Sequence, residues 1–103
     1  MNEFTGIWDV VVHTFMGDQF SEHEYVVEGT TLTGVITDKG NGNKADIVDG
    51  VIDGNRISYK FTIKIPIGEM EFTIVGERIE EKKILGKSSN AMGDFEFEAI
   101  KRS

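Results

Sequence analysis

Seven turn signals at near-regular spacing divide the chain into eight segments of alternating side chains, and no other feature limits its fold so tightly. They fall at Met16-Gly17-Asp18, Glu28-Gly29-Thr30, Lys39-Gly40-Asn41-Gly42-Asn43, Asp53-Gly54-Asn55, Pro66-Ile67-Gly68, Glu80-Glu81-Lys82 and Ala91-Met92-Gly93. Gly, Asn, Asp and Pro at these places supply the backbone angles that tight turns demand. The segments between predict strands over 6–14, 19–27, 32–38, 44–52, 56–65, 70–78, 83–89 and 94–102. Part of the pattern also recurs. Gly17-Asp18-Gln19-Phe20 returns as Gly68-Glu69-Met70-Glu71-Phe72, Gly34 as Gly86 and Gly42 as Gly93, at offsets of 51 or 52 residues. Two four-stranded halves, about 4–53 and 54–103, are therefore expected to form one domain over 1–103. The expected fold is all-β, an eight-stranded antiparallel up-and-down barrel with room for side chains or one small ligand.

Parity assigns the faces. Ile57, Tyr59, Phe61, Ile63 and Ile65 alternate with Arg56, Ser58, Lys60, Thr62 and Lys64, so the first set points inward. Pairing Ile65 with Met70 around a four-residue loop keeps Phe72 and Ile74 on that face, and the repeat transfers the pairing to Thr14 and Gln19. A hairpin at residues 28–31 then sets Val27 against Leu32, Tyr25 against Gly34 and His23 against Ile36. The expected interior also holds Trp8, Val10, Val12, Ser21, Ile84, Gly86, Ser88, Phe95 and Phe97. For the fourth strand, a three-residue loop at Asp53-Gly54-Asn55 turns Ala45, Ile47 and Val51 inward and brings Asp49 beside Tyr59. A two-residue loop turns Asp46 inward instead; the first choice buries more apolar surface.

Gly6-Ile7-Trp8, at the head of the first strand, resembles the Gly-x-Trp with which lipocalins open their barrels, the tryptophan closing the floor. The chain thus resembles the calycin group of lipocalin, fatty-acid-binding and avidin-like barrels. More closely, it is similar to a family of small bacterial proteins, and of domains appended to amidohydrolases, whose hairpin tips read Pro-Met-Gly or Pro-Phe-Gly. Here the tips read Phe15-Met16-Gly17, Pro66-Ile67-Gly68 and Ala91-Met92-Gly93. The resemblance implies a barrel that can hold a ligand inside. The polar set that holds biotin in avidin-like barrels has no counterpart on this chain, nor do the second and third lipocalin motifs.

Composition narrows the chemistry. A net charge of −7, with Lys82-Lys83 and Lys101-Arg102 the only adjacent basic pairs, argues against nucleic acid. Without Cys there is no disulfide, thiolate nucleophile or Cys-based zinc site. No apolar run approaches a membrane span and no leader precedes the first strand, so a cytoplasmic protein is expected. His13 and His23 fall on opposite faces, and the acidic turns lack the ligand spacing of a calcium loop; no metal or cofactor is expected. Ser88-Ser89 sits on no nucleophile elbow, and no catalytic residue is assigned.

Two groups of residues remain. Inside, Trp8, His23, Tyr25, Asp49, Tyr59 and Ser88 are the candidates to hold a ligand, with Gly76 and Gly86 leaving space beside them. A structural histidine bonded to tyrosine, serine or water is the plainer role for His23. At one end, Phe15, Met16, Pro66, Ile67, Ala91 and Met92 gather on a single rim, as a plug, a self-association surface or a gate. The leading expectation is a non-enzymatic barrel that binds a small, mostly apolar molecule, with homodimerisation through the rim. The alternatives are an oligomerising module without internal ligand, in contact through outward Val11, Phe20, Val26, Val35, Val48, Val75 and Ile100, and an enzyme with His23 as general base.

Overall fold

Alternation becomes β-structure along the whole chain: β1 (Gly6–Thr14), β2 (Gly17–Glu28), β3 (Thr31–Asp38), β4 (Lys44–Asp46), β5 (Val48–Asp53), β6 (Arg56–Ile65), β7 (Gly68–Glu80), β8 (Lys83–Asn90) and β9 (Gly93–Lys101). This computed structural model describes residues 3–102 apart from the Ile65 side chain, so the inward placement expected of Ile65 lies outside the described residues. Strands adjacent in sequence pair antiparallel except β4 and β5, which both pair with β3, and β1 pairs with β9 to close the ring. Segments β4 and β5 share one position beside β3, so nine segments make an eight-stranded barrel. It measures 39 × 22 × 22 Å.

Expected and observed pairing differ at two kinds of place. At the Gly-bearing tips the loops have two residues rather than four: Thr14 faces Gly17, Ile65 faces Gly68 and Asn90 faces Gly93. These glycines belong to the strands, where their positive φ of 109°, 141° and 131° lets the chain leave each turn without a Cβ clash. The register therefore moves by two, pairing Trp8 with His23 and Phe61 with Phe72, and a shift of two preserves every face. The hairpin from β2 to β3 follows expectation, with His23 opposite Ile36 and Tyr25 opposite Gly34.

The fourth strand takes the two-residue loop, the second of the two choices, but without the inward Asp46 expected of it. Gly54-Asn55 is a two-residue loop, yet Asp46 stays exposed, because Asp49 and Gly50 together oppose the single residue Tyr59. Such a bulge inverts parity along the strand. Asp49 takes the left-handed conformation, at φ 53°, that a short polar side chain tolerates. In consequence Ile47 and Ile52 point inward, while Val51, expected inside, is 49 % exposed. Asp49 lies on the outer surface, away from the interior position beside Tyr59.

The core runs along the barrel axis through Trp8, Tyr25, Leu32, Ile36, Ile57, Tyr59, Ile74, Ile84 and Phe97. One end is sealed by the segment before β1. Phe4 folds beneath Trp8, whose Nε1–H donates to the Phe4 carbonyl at 2.8 Å, and Thr5 Oγ1 accepts from the Val27 amide. The Lys101 ammonium lies 6.0 Å from the centre of the Trp8 ring, and the Arg78 guanidinium lies as far from that of Phe4. Outside, Arg102 and Lys39 converge on Asp9 at 2.5 and 2.7 Å, and their hydrogen bonds hold that carboxyl down to about 2. Arg102 also reaches Glu22, tying the last described residue across β1 to β2.

Candidate functional site

The interior polar groups form one chain. Ser21 Oγ lies 2.9 Å from His23 Nε2, His23 Nδ1 lies 2.5 Å from the Tyr59 hydroxyl, and that hydroxyl lies 2.5 Å from the Tyr25 hydroxyl. His23 and Tyr25 share a face of β2, being two residues apart, and β6 brings Tyr59 to meet them from the far wall. Burial depresses the imidazole to about 3, so His23 is neutral in any ordinary buffer. Both phenols are pushed well above their ordinary value, chiefly by burial.

Rings continue the chain in both directions. Trp8 lies 6.1 Å from Tyr25 toward the sealed end, and His23 meets Phe61 edge-on at 5.9 Å toward the open one. Phe61 and Phe72 then stack at 5.0 Å with an interplanar angle of 7°.

Above His23 the barrel is hollow. A cavity of about 130 Å³ is lined by Val12, Ile36, Phe61, Ile63, Phe72 and Ile74, with Ser21, His23 and Ser88 at polar points on its wall. Thr14, Gln19, Asp38 and Asn90 ring its mouth, at the end of the barrel that carries the two-residue tips. Those tips do not fold inward: Phe15 is 70 % exposed, Met16 76 % and Ile67 93 %, with Pro66, Ala91 and Met92 exposed beside them. Phe15 instead leans on Phe95 at 6.0 Å. The rim residues frame the opening and leave it unplugged.

Of the residues singled out from sequence, His23 and Ser88 line this cavity, and Tyr25 and Tyr59 support it from behind. Trp8 belongs to the floor. Gly76 and Gly86, expected to leave space, do not. A Cβ on Gly86 would sit 2.8 Å from the Phe97 ring and 2.1 Å from the Val75 carbonyl oxygen, and one on Gly76 would sit 2.9 Å from Phe97. The glycines make room for Phe97, which fills that half of the interior, so the cavity lies at the other end. The mouth residues follow from the same alternation carried one step further. Thr14, Asp38 and Asn90 are each the next alternate position beyond an inward residue, Val12, Ile36 and Ser88.

The chain matches no protein-family model and no curated protein. Among solved structures it is similar to a redesigned β-barrel, with a TM-score of 0.74 at 12 % sequence identity over 98 % of this chain and 92 % of that one. At that identity the likeness is one of fold.

Proposed function

We propose that this protein is a non-enzymatic, calycin-like binding barrel that takes a small, mostly apolar molecule into the cavity above His23. The observation that carries the reading is the cavity itself: about 130 Å³, walled by aliphatic side chains and a stacked Phe pair, and open at one end. Apolar cavities of roughly 150 Å³ accept benzene or xenon, which sets the scale of the occupant. Binding is favoured over catalysis because both nitrogens of His23 are engaged, by Ser21 and Tyr59, leaving no free lone pair to take a substrate proton. The test is amide chemical-shift mapping with benzene. Shifts should centre on Ser21, Ile36, Phe61 and Ser88 and vanish in Phe72→Trp, whose larger ring occupies the space. Benzene that leaves these amides untouched, or shifts them equally in Phe72→Trp, refutes interior binding.

A second reading, self-association through the tips, draws on the outward Phe15, Met16, Ile67 and Met92. Light scattering of the wild type against Ile67→Lys decides it: a monomer in both removes the reading.

A further inference from the structure

The buried polar chain can run in either of two senses, and they differ in which proton is left without an acceptor. Each of the two phenols carries one proton, and neutral His23 carries one on a single nitrogen. If the chain ran from Ser21 toward Tyr25, the Tyr25 hydroxyl would be left to donate to nothing, since Tyr59 is its partner among the described residues. A fully buried hydroxyl in that state bears the whole cost of its lost bonds to water. Only the opposite sense uses every buried proton: Tyr25 donates to Tyr59, Tyr59 donates to His23 Nδ1, and His23 Nε2–H donates to Ser21 Oγ. The proton of Ser21 is then the one left over, and Ser21 lines the cavity.

A second hydroxyl points to the same space. Ser88 is 1 % exposed, lines the cavity, and has no hydrogen-bond partner for its side chain among the described residues. Its hydroxyl is not sealed off from solvent, since the buried unpartnered side-chain atom among the described residues is Arg78 Nε; it opens onto the cavity, free to donate to what enters there.

Resting on the interior-binding reading, we propose that the cavity selects a neutral, flat molecule about the size of benzene that carries a hydrogen-bond acceptor, met by the hydroxyls of Ser21 and Ser88. Three features set the class. The edge of His23 and the stacked Phe61 and Phe72 favour a planar ring. The unassigned proton of half-buried Ser21 offers a donor that a ligand acceptor can take over from water. Charge of either sign is disfavoured: no described cation lines the wall to balance an anion, Asp38 at the mouth and the net charge of −7 repel one, and a cation would lose its hydration among apolar groups.

Benzene and pyridine are matched in size and differ by one acceptor nitrogen. Their affinities are to be measured by ligand titration in a mildly alkaline buffer that keeps pyridine uncharged, for the wild type, Ser21→Ala and Ser88→Ala. Ser88→Ala, which breaks no bond within the chain, should weaken pyridine about five- to tenfold and leave benzene within about twofold, as loss of one hydrogen bond implies. Ser21→Ala should shift the same ratio in the same direction but by less, because it frees His23 Nε2–H to stand in for the lost hydroxyl. In the wild type the pyridine ¹⁵N resonance should move as it does on accepting a hydrogen bond, a readout independent of either variant's folding. Benzene binding with an unchanged benzene-to-pyridine ratio in both variants and an unmoved ¹⁵N resonance overturns the acceptor rule while sparing the interior site. Failure of both ligands to bind refutes the interior site itself.

Discussion

Acidification should unfold this barrel through His23, and the effect can be isolated. In the unfolded chain the imidazole titrates near its ordinary 6.5, whereas burial holds it to about 3 in the fold. Between those values the unfolded state binds a proton that the native state refuses, so unfolding gains about 1.4 kcal/mol per pH unit. The stability at stake is whole above about 6.5, drains as pH falls toward 3 and is exhausted below it. From neutrality to about pH 4 the loss comes to roughly 3 kcal/mol, a large part of the ~5–15 kcal/mol that holds a small domain together. Acid acts on other groups as well, so the measurement is a difference: urea melts of the wild type and His23→Leu at matched pH. His23→Leu is similar in bulk and removes the acceptor of Tyr59, which makes it less stable by about 1–3 kcal/mol at neutral pH. That disadvantage should shrink steadily below pH 6.5 and be level or reversed near pH 4. Two curves that stay parallel would show that His23 is not held neutral by burial, and the direction assigned to the polar chain would fall with it.

Other perturbations probe the same architecture. Gly86→Ala drives a Cβ to 2.1 Å from the Val75 carbonyl oxygen and into Phe97; a loss of about 2 kcal/mol or more in chemical denaturation is expected, and a neutral result would place Phe97 elsewhere. Trp8→Phe removes the bond to the Phe4 carbonyl and leaves space at the floor, costing about 2–4 kcal/mol by thermal or urea melting monitored by circular dichroism. His13 is raised by its hydrogen bond to Asp18; a proton NMR titration should find it above 6.5, and Asp18→Asn should lower it.

How far the sequence carried depended on whether each residue obeyed alternation. Nearly every strand could be drawn from turn chemistry, and the faces of Trp8, His23, Tyr25, Tyr59, Phe61 and Ser88 survived a register error of two because two is the period of a strand. The fourth strand could not be solved that way. Its bulge adds one residue against Tyr59, and nothing in Val48-Asp49-Gly50-Val51 forces the extra residue to stand there rather than in the turn. Phe4 was missed because it belongs to no strand, and it matters only once Trp8 needs an acceptor. The cavity was expected at the wrong end for a related reason. Glycines mark a close approach, but which side chain exploits it is a property of the packed interior, and here it is Phe97.

The broken fourth strand has a mechanical meaning. Among the described residues β4 pairs with β3 alone, while the β5–β6 ladder stops at Val48 and Lys60, so the ring of backbone bonds is interrupted between Lys44–Asp46 and the last residues of β6. A hoop cut at one point flexes by spreading there, where no hydrogen bond need be broken first. Amides facing that gap should exchange with solvent sooner than those of the β1–β9 closure, giving the barrel a side slit next to the wall that Phe61 and Ile63 supply.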